Sequence, residues 1–417
     1  MMKMYLDPND RDTIQANLVL GTLTSNLEKL TLTGAWQKIK RNVNNYYPAT
    51  GETRPISGTQ KQYMFSVQSE WSFPSHYLTV GAEYEGDDVN VNNGQTFARV
   101  KQDSFGLFAQ DEWTLTSDIK ATLGLRYSYI NGRFVDKWGG NAYGEPGKTL
   151  KDSKLVGSVG LVYRGIENWA FRANFSQGYR YPSIRQLFTG TTAHGSSTTT
   201  IYPNPDLLPE TSINYEIGAR FFNDNWDFDI SVFHIKAKNY HQSATVNGRS
   251  TYVNGNTAVT TGVETTLQYT KNFGNYSIAP YASGTYIHRK VTIKYGARAD
   301  QTISMVAVPP YEGRVGVKFD ADISPTFHFY SDAYVAMASR VRGANEGRAS
   351  AISATVTEFP AWQNANLNLG IRGGDKFKYH LTLGLRNIFN QQYNYSRGSA
   401  SLPEAGFHTV LSFGLEY

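Results

Sequence analysis

Cysteine is missing from all 417 residues, which excludes thiol catalysis, cysteine-held metal and a disulfide framework. Such a chain crosses an oxidising periplasm without forming bridges, although many cytosolic proteins lack cysteine too. No apolar run approaches the ~20 residues of a membrane helix, so helical spans are excluded. The mean hydropathy of −0.44 leaves a membrane barrel open, because barrel strands are apolar only at every second position. The opening Met1-Met2-Lys3-Met4-Tyr5-Leu6-Asp7-Pro8 has neither an apolar stretch nor a small-residue cleavage site, so no secretory signal is visible. The expectation is that the chain is either not exported or the remainder of a longer product. Catalytic constellations are lacking as well. There is no His-Glu-x-x-His, Phe175-Ser176-Gln177-Gly178 is not a nucleophile elbow, and the adjacent Asp111 and Glu112 face opposite sides of a strand. No enzyme activity and no cofactor are expected.

What is present is alternation with period two from Ile14 onward. Tyr63, Phe65, Val67, Trp71 and Phe73 interleave with Gln62, Ser66, Gln68, Glu70 and Ser72, giving one face for lipid and one for a wet lumen. Ala121 to Tyr129 and Tyr379 to Leu385 repeat the pattern. Short connections at Ser25-Asn26, Pro74 to His76, Ser117-Asp118, Gly165 to Glu167, Asn223 to Asn225, Asn272 to Asn275, Ser324-Pro325 and Gly373 to Lys376 read as periplasmic turns. Between them lie long polar segments, read as extracellular loops: Arg41 to Thr59, Gly86 to Asp103, Asn131 to Asp152, Tyr179 to Thr211, Tyr240 to Thr260, Lys290 to Tyr311, Ser339 to Ala361 and Asn387 to Gly406. A soluble sandwich would not sort loop lengths onto two ends. Trp71, Trp113, Trp169 and Trp226 fall near the proposed turns and Trp362 opens a strand at the opposite rim, as headgroup-level tryptophans should.

The pattern predicts an all-β, antiparallel transmembrane barrel of roughly 17 strands, an odd count where bacterial barrels are even. The last strand presents Leu411, Phe413, Leu415 and Tyr417 outward and His408, Ser412 and Glu416 inward, an aromatic-ended finish that places any missing strands at the N-terminus. The formal charge of +5 and pI near 9.0 suit phosphate-bearing partners. No nucleic-acid motif accompanies them. Lysines and arginines are read at strand ends and in loops, where lipid headgroups, lipopolysaccharide or an anionic ligand are suitable partners.

These residues resemble the barrel of TonB-dependent receptors over nearly the whole of residues 1–417. Phe105-Gly106-Leu107-Phe108-Ala109-Gln110-Asp111-Glu112-Trp113, followed by Leu123 to Tyr127, is similar to the family's mid-barrel hairpin. Phe175 to Pro182 and Asn204 to Thr211 are similar to its two signatures around one extracellular loop, and Gly262-Val263-Glu264, Pro309-Pro310 with Gly313-Arg314, and Leu385 to Asn390 with Tyr393 continue the order. The resemblance implies a barrel of about 22 strands around a plug, of which about five strands, the plug and the box contacting the TonB energy-transducing complex are not recognisable here. The implied function is outer-membrane, energy-dependent uptake of an iron complex, ferric siderophore ahead of haem. A passive porin-like channel and a nonfunctional fragment of an interrupted receptor gene are the alternatives. The first strand, Ile14 to Thr22, is expected to lack one neighbour and to leave the barrel open.

Candidate ligand residues sit in the loops. His194 lies between the two signatures, where haem-binding relatives carry an iron-ligating histidine, and the other reading is a solvated loop residue. His241 is a weaker candidate of the same kind. Arg180 and Arg185 flank the Tyr181-Pro182 turn, and Arg340, Arg342 and Arg348 share one loop with Glu346. These cations suit an anionic ferric complex or haem propionates, and the other reading is contact with lipopolysaccharide phosphate or plain solubility. Tyr202, with Tyr143, Tyr252, Tyr295 and Tyr311, suits an apolar cup, although 28 tyrosines make some loop aromatics inevitable.

Overall fold

The structure, a computed structural model, describes residues 3–6, 9–92, 96–140, 146–189, 191–193, 199–292, 302–304, 309–343, 357–393 and 403–416. Its long strands are β1 Asp10–Gly21, β2 Leu27–Tyr47, β3 Glu52–Ser72, β4 His76–Asn92, β5 Thr96–Thr114 and β6 Ile119–Gly140. They continue as β7 Thr149–Tyr163, β8 Trp169–Arg180, β9 Glu210–Phe222, β10 Trp226–Val246, β11 Arg249–Tyr269 and β12 Tyr276–Thr292. β13 Tyr311–Ser324, β14 Phe327–Ala338, β15 Trp362–Gly373, β16 Lys378–Arg386 and β17 His408–Glu416 complete the set. Each pairs antiparallel with the next in sequence. All eight proposed inner turns fall between consecutive strands at one end of this sheet.

The alternation read from the sequence separates the two faces. Phe65, Leu107, Leu125, Leu155, Ile217 and Val315 stand about half or more exposed on one side, which is tolerable only where hydrocarbon surrounds the wall. The opposite face carries ion pairs inside the strands. Arg172 binds Asp229 through both terminal nitrogens, each at 2.8 Å, and Glu216 at 3.3 Å, and Arg126 pairs with Glu83. Cations therefore stand mid-strand as well as at strand ends and in loops, because a wet lumen hydrates them where hydrocarbon would not. Asp111 bonds His76 at 2.7 Å while its neighbour Glu112 stands on the other face. Rings gather at the inner rim, where Trp169 stacks on Phe171 with centroids 5.6 Å apart and Trp226 meets Tyr269 at 4.7 Å. Trp362 stacks on Tyr393 at 4.6 Å at the outer end of β15.

Leu411, Phe413 and Leu415 are 70%, 66% and 65% exposed, opposite Leu383, Leu381 and Tyr379 of β16, with Ser412 and Glu416 on the face of Thr382 and Lys378. Tyr417 lies outside the described residues. Among the described residues no pairing joins β1 to β17, so the sheet is open and each of these strands has one unpaired edge.

Two boundaries differ from the sequence reading. The first strand is longer: Lys3–Leu6 already pairs with the outer part of β2, from Lys3 opposite Tyr46 to Leu6 opposite Val43, ahead of β1. In the sequence Pro8 argues against a strand in this stretch, because proline removes a ladder donor. Several segments taken as long loops are largely strand. β2, β3, β10 and β11 each run 21 residues and β6 runs 22, about twice the 9–11 that cross a bilayer. Beyond the membrane both faces are wet, so the sequence loses the alternation that marks the lower half. The loop of Tyr240 to Thr260 is thus a hairpin closed by Asn247-Gly248 at φ 51° and 74°, the left-handed pair a tight type I′ turn requires.

Candidate functional site

The overshooting strands carry a hydrophobic core of their own. Ala98 and Val100 of β5, Phe134 of β6, Tyr252 of β11 and Leu187, Phe188 and Leu207 of the β8–β9 connection are buried together, with Leu150, Tyr181, Ile184 and Ile201 packed around them. The Phe134 and Phe188 rings stack with centroids 6.3 Å apart. Gly132 makes room for the second ring, since a Cβ there would stand 3.0 Å from Phe188 Cε2. The sequence reading missed this core. Its only linear trace is the pair Leu187-Phe188 after Pro182, and its partners come from strands distant in sequence.

The two signature segments dock this connection. After the buried Pro182, Ser183 N–H donates to Gln186 Oε1 at 2.9 Å and starts a single helical turn, Arg185–Thr189. Asn204 turns the chain back, accepting from Asp206 N–H at 3.0 Å and donating through Nδ2 to Tyr252 O at 2.8 Å. Leu208 N–H donates to Asn254 Oδ1 at 2.7 Å, and Leu208 O accepts from Asn254 Nδ2 at 2.7 Å. Tyr179 donates its hydroxyl to Asp152 at 2.8 Å.

Glu210 is the junction of the site. Arg180 grips it with Nε at 2.6 Å and Nη2 at 2.5 Å, and His241 N–H donates to the same Oε1 at 2.6 Å. The His241 side chain is fully buried. Its Nε2–H donates to Leu208 O at 2.7 Å, while Nδ1 stands 3.4 Å from Glu210 Oε1 without a hydrogen bond. Burial pushes the imidazole below its usual pKa, opposed by the Leu208 carbonyl and the Glu210 charge. His241 therefore acts as a neutral clasp between β10 and the loop.

The predicted ligand residues divide accordingly. Arg180 is already held by a carboxylate. Tyr202 lies under the Arg249 guanidinium, 3.6 Å from its centroid, and its carbonyl accepts from Thr251 Oγ1 at 3.1 Å. Arg185 is exposed on the helical turn, and Arg340 is exposed just beyond β14. Arg342 pairs by its backbone with Glu358 in a small outer hairpin, Val341–Gly343 with Thr357–Phe359. His194, Arg348 and Glu346 lie outside the described residues. Arg180, Arg185 and Tyr202 belong to β8 and the β8–β9 connection, whereas Arg340 and Arg342 belong to a different loop. Among the described residues no group of three or more His, Asp or Glu side chains is arranged to hold a metal.

Residues 3–390 match the family model described as TonB dependent receptor-like, beta-barrel. The chain belongs to the TonB-dependent receptor family. It is accordingly an outer-membrane barrel of a family of receptors and transporters. Among curated relatives, the iron-regulated outer membrane virulence protein of Vibrio cholerae is 23% identical over 193 residues, 45% of this chain and 26% of that protein. Among solved structures, the copper transporter OprC superposes with a TM-score of 0.75 at 15% identity, covering 98% of this chain and 64% of its own. The unliganded ferric citrate transporter FecA gives 0.69 at 14% identity, covering 98% and 61%. The chain thus spans less than two thirds of these receptors' lengths.

Proposed function

We propose that the protein to which this barrel belongs imports an iron complex across the outer membrane, a ferric siderophore ahead of haem. The observation that carries this reading is the outer end of the barrel. Strands overshoot the membrane there and a loop docks on its own apolar core, giving a firm platform for the exposed cation Arg185, while Arg340 stands exposed on a separate loop. The cargo class is supported by the iron-regulated relative, while the ferric citrate transporter, at 14% identity, shares the fold alone. The copper relative shares the fold at 15% identity and favours no other cargo. Arg185, Arg340, Arg342 and His194 are the residues proposed to meet the ligand, with Arg180 and Tyr202 shaping the loop that presents them. Energy would come from the TonB complex through a plug and contact box not recognisable within residues 1–417.

The test is uptake of radiolabelled ferric siderophore and haem by cells carrying or lacking the gene at its own locus, with the energising complex intact or inactivated. Gene-dependent, energy-dependent iron uptake is expected, and His194→Ala should reduce haem uptake selectively if haem is the cargo. Passive ion conductance through the purified protein, or uptake indifferent to the energising complex, would refute the reading and favour a porin-like channel.

A further inference from the structure

One seam of the wall closes over only part of its length. β7 pairs with β6 from Thr149 opposite Arg133 to Tyr163 opposite Ile119, and β8 pairs with β9 from Trp169 opposite Phe221 to Arg180 opposite Glu210. β7 and β8 pair with each other only from Tyr163 opposite Phe171 to Ser158 opposite Ser176. Above that point, among the described residues, 149–157 have a strand neighbour on the β6 side alone and 177–180 on the β9 side alone. Ser158 stands five residues above the inner end of β7, which at about 3.3 Å per residue and a tilt of about 40° is roughly 13 Å up a hydrocarbon band about 25 Å tall. The ladder thus parts near the middle of the membrane.

Two side chains bridge the gap in place of the ladder. Gly157 N–H donates to Gln177 Oε1 at 3.1 Å, and Tyr179 donates its hydroxyl to Asp152 at 2.8 Å. Ala173, opposite the outward Ile217, puts Gln177 and Tyr179 on the lipid face by alternation, while Val156, opposite Arg126, puts Asp152 on the lumen face. The bond from Tyr179 to Asp152 therefore passes through the seam from one face to the other. Every second residue of a strand turns its N–H and C=O to the same neighbour, so Ser153 and Leu155 present theirs where Gly157 does, and among the described residues no strand lies opposite them there. Unpaired backbone at membrane depth is tolerated only where protein covers it or a water-filled cavity wets it. The lumen supplies that water, and Leu155, 59% exposed, meets hydrocarbon on the other side. The slot opens to water inward and to lipid outward at the same height.

We propose that the seam between β7 and β8 is a lateral portal, in which the single acyl chain of an amphiphilic solute lies in the outer leaflet while its polar head stands in the lumen. Such a molecule slides along the slot without drawing its chain through water or its head through hydrocarbon. The two bridges are side chains, so the seam opens without breaking the pairing of β7 with β6 or of β8 with β9. The portal belongs to the wall and is independent of the cargo proposed above.

The test places one cysteine at a time in the complete receptor, held in lipid nanodiscs, since residues 1–417 contain none. Val156→Cys stands on the lumen face beside the slot, and Val162→Cys stands on the lumen face opposite Arg172, where the ladder is continuous. Each is reacted with dodecyl methanethiosulfonate, whose chain partitions into the bilayer, and with the water-soluble aminoethyl methanethiosulfonate as the measure of access from the lumen. Relative to that measure, the dodecyl reagent is expected to modify Val156→Cys at least about tenfold faster than Val162→Cys, because a continuous ladder leaves no way through the wall. Removing both bridges with Gln177→Ala and Tyr179→Phe should quicken the reaction at the first position about fivefold, the effect of two lost hydrogen bonds, and leave the second unchanged. Equal ratios at the two positions, whether fast or slow, would overturn the proposal. So would a rate at Val156→Cys indifferent to loss of the bridges while heat-modifiable migration shows a folded barrel.

Discussion

The barrel wall and the loop core above it are held together by opposite means. In the wall, backbone pairing fixes the strands, large apolar side chains face outward, and buried apolar packing is scarce. In the loop core, Phe134, Phe188, Val100 and Leu207 are buried as in a soluble domain, and the connecting backbone is satisfied by side chains such as Asn204, Asn254 and Glu210. The contrast follows from the solvent. Hydrocarbon offers no gain for burying leucine but a large cost for an unpaired amide, whereas water reverses both.

The comparison can be broken first at the wall. The free edges of β1 and β17 leave a row of donors and acceptors unpaired, each costing on the order of several kcal/mol in hydrocarbon. The polypeptide of residues 1–417, placed alone in a lipid bilayer, is therefore expected to aggregate rather than insert. Heat-modifiable gel migration together with protease-resistant insertion of that polypeptide would show the expectation to be wrong.

A smaller effect is expected in the loop core. Phe188→Ala removes a fully buried ring that stacks on Phe134, and should cost about 3–5 kcal/mol locally. Amide exchange should quicken in residues 181–209 while β12 to β14 keep their protection. Equal loosening of both regions would mean that wall and loop are one cooperative unit.

The smallest effect concerns the clasp between them. Burial lowers the His241 pKa in the folded state, so its contribution is complete above the unfolded value of about 6.5. It is lost as pH falls below that and through the lowered folded value, because the unfolded chain then takes up the proton more readily. Protease nicking of residues 181–209 should accordingly rise between pH 8 and pH 5. His241→Gln retains a donor for Leu208 O and should flatten that dependence, and a variant that is equally pH-sensitive would clear His241 of the role.

The loop signatures show how far a sequence can be read. Phe175 to Pro182 and Asn204 to Thr211 are legible as bracketing one extracellular loop, and the aromatics beside them invite a ligand reading. In the structure Arg180, Asn204 and Glu210 spend their polar groups on docking the loop. Asn204 binds Tyr252, Glu210 binds His241 and Leu208 between them binds Asn254, partners about 30 to 50 residues away along the chain, and no local pattern announces such partners.

The sequence by itself determined the barrel strands across the membrane, their inner turns and the two faces of the wall. These depend on a period of two residues and on short turn chemistry, both local properties imposed by lipid on one side and water on the other. Tertiary structure alone decided the upper halves of β2, β3, β6, β10 and β11, the core around Phe134 and Phe188, and the facing of Arg180 with Glu210. Outside the membrane both strand faces are wet and the alternation disappears. A cross-strand neighbour is set by register, which the sequence of neither strand contains.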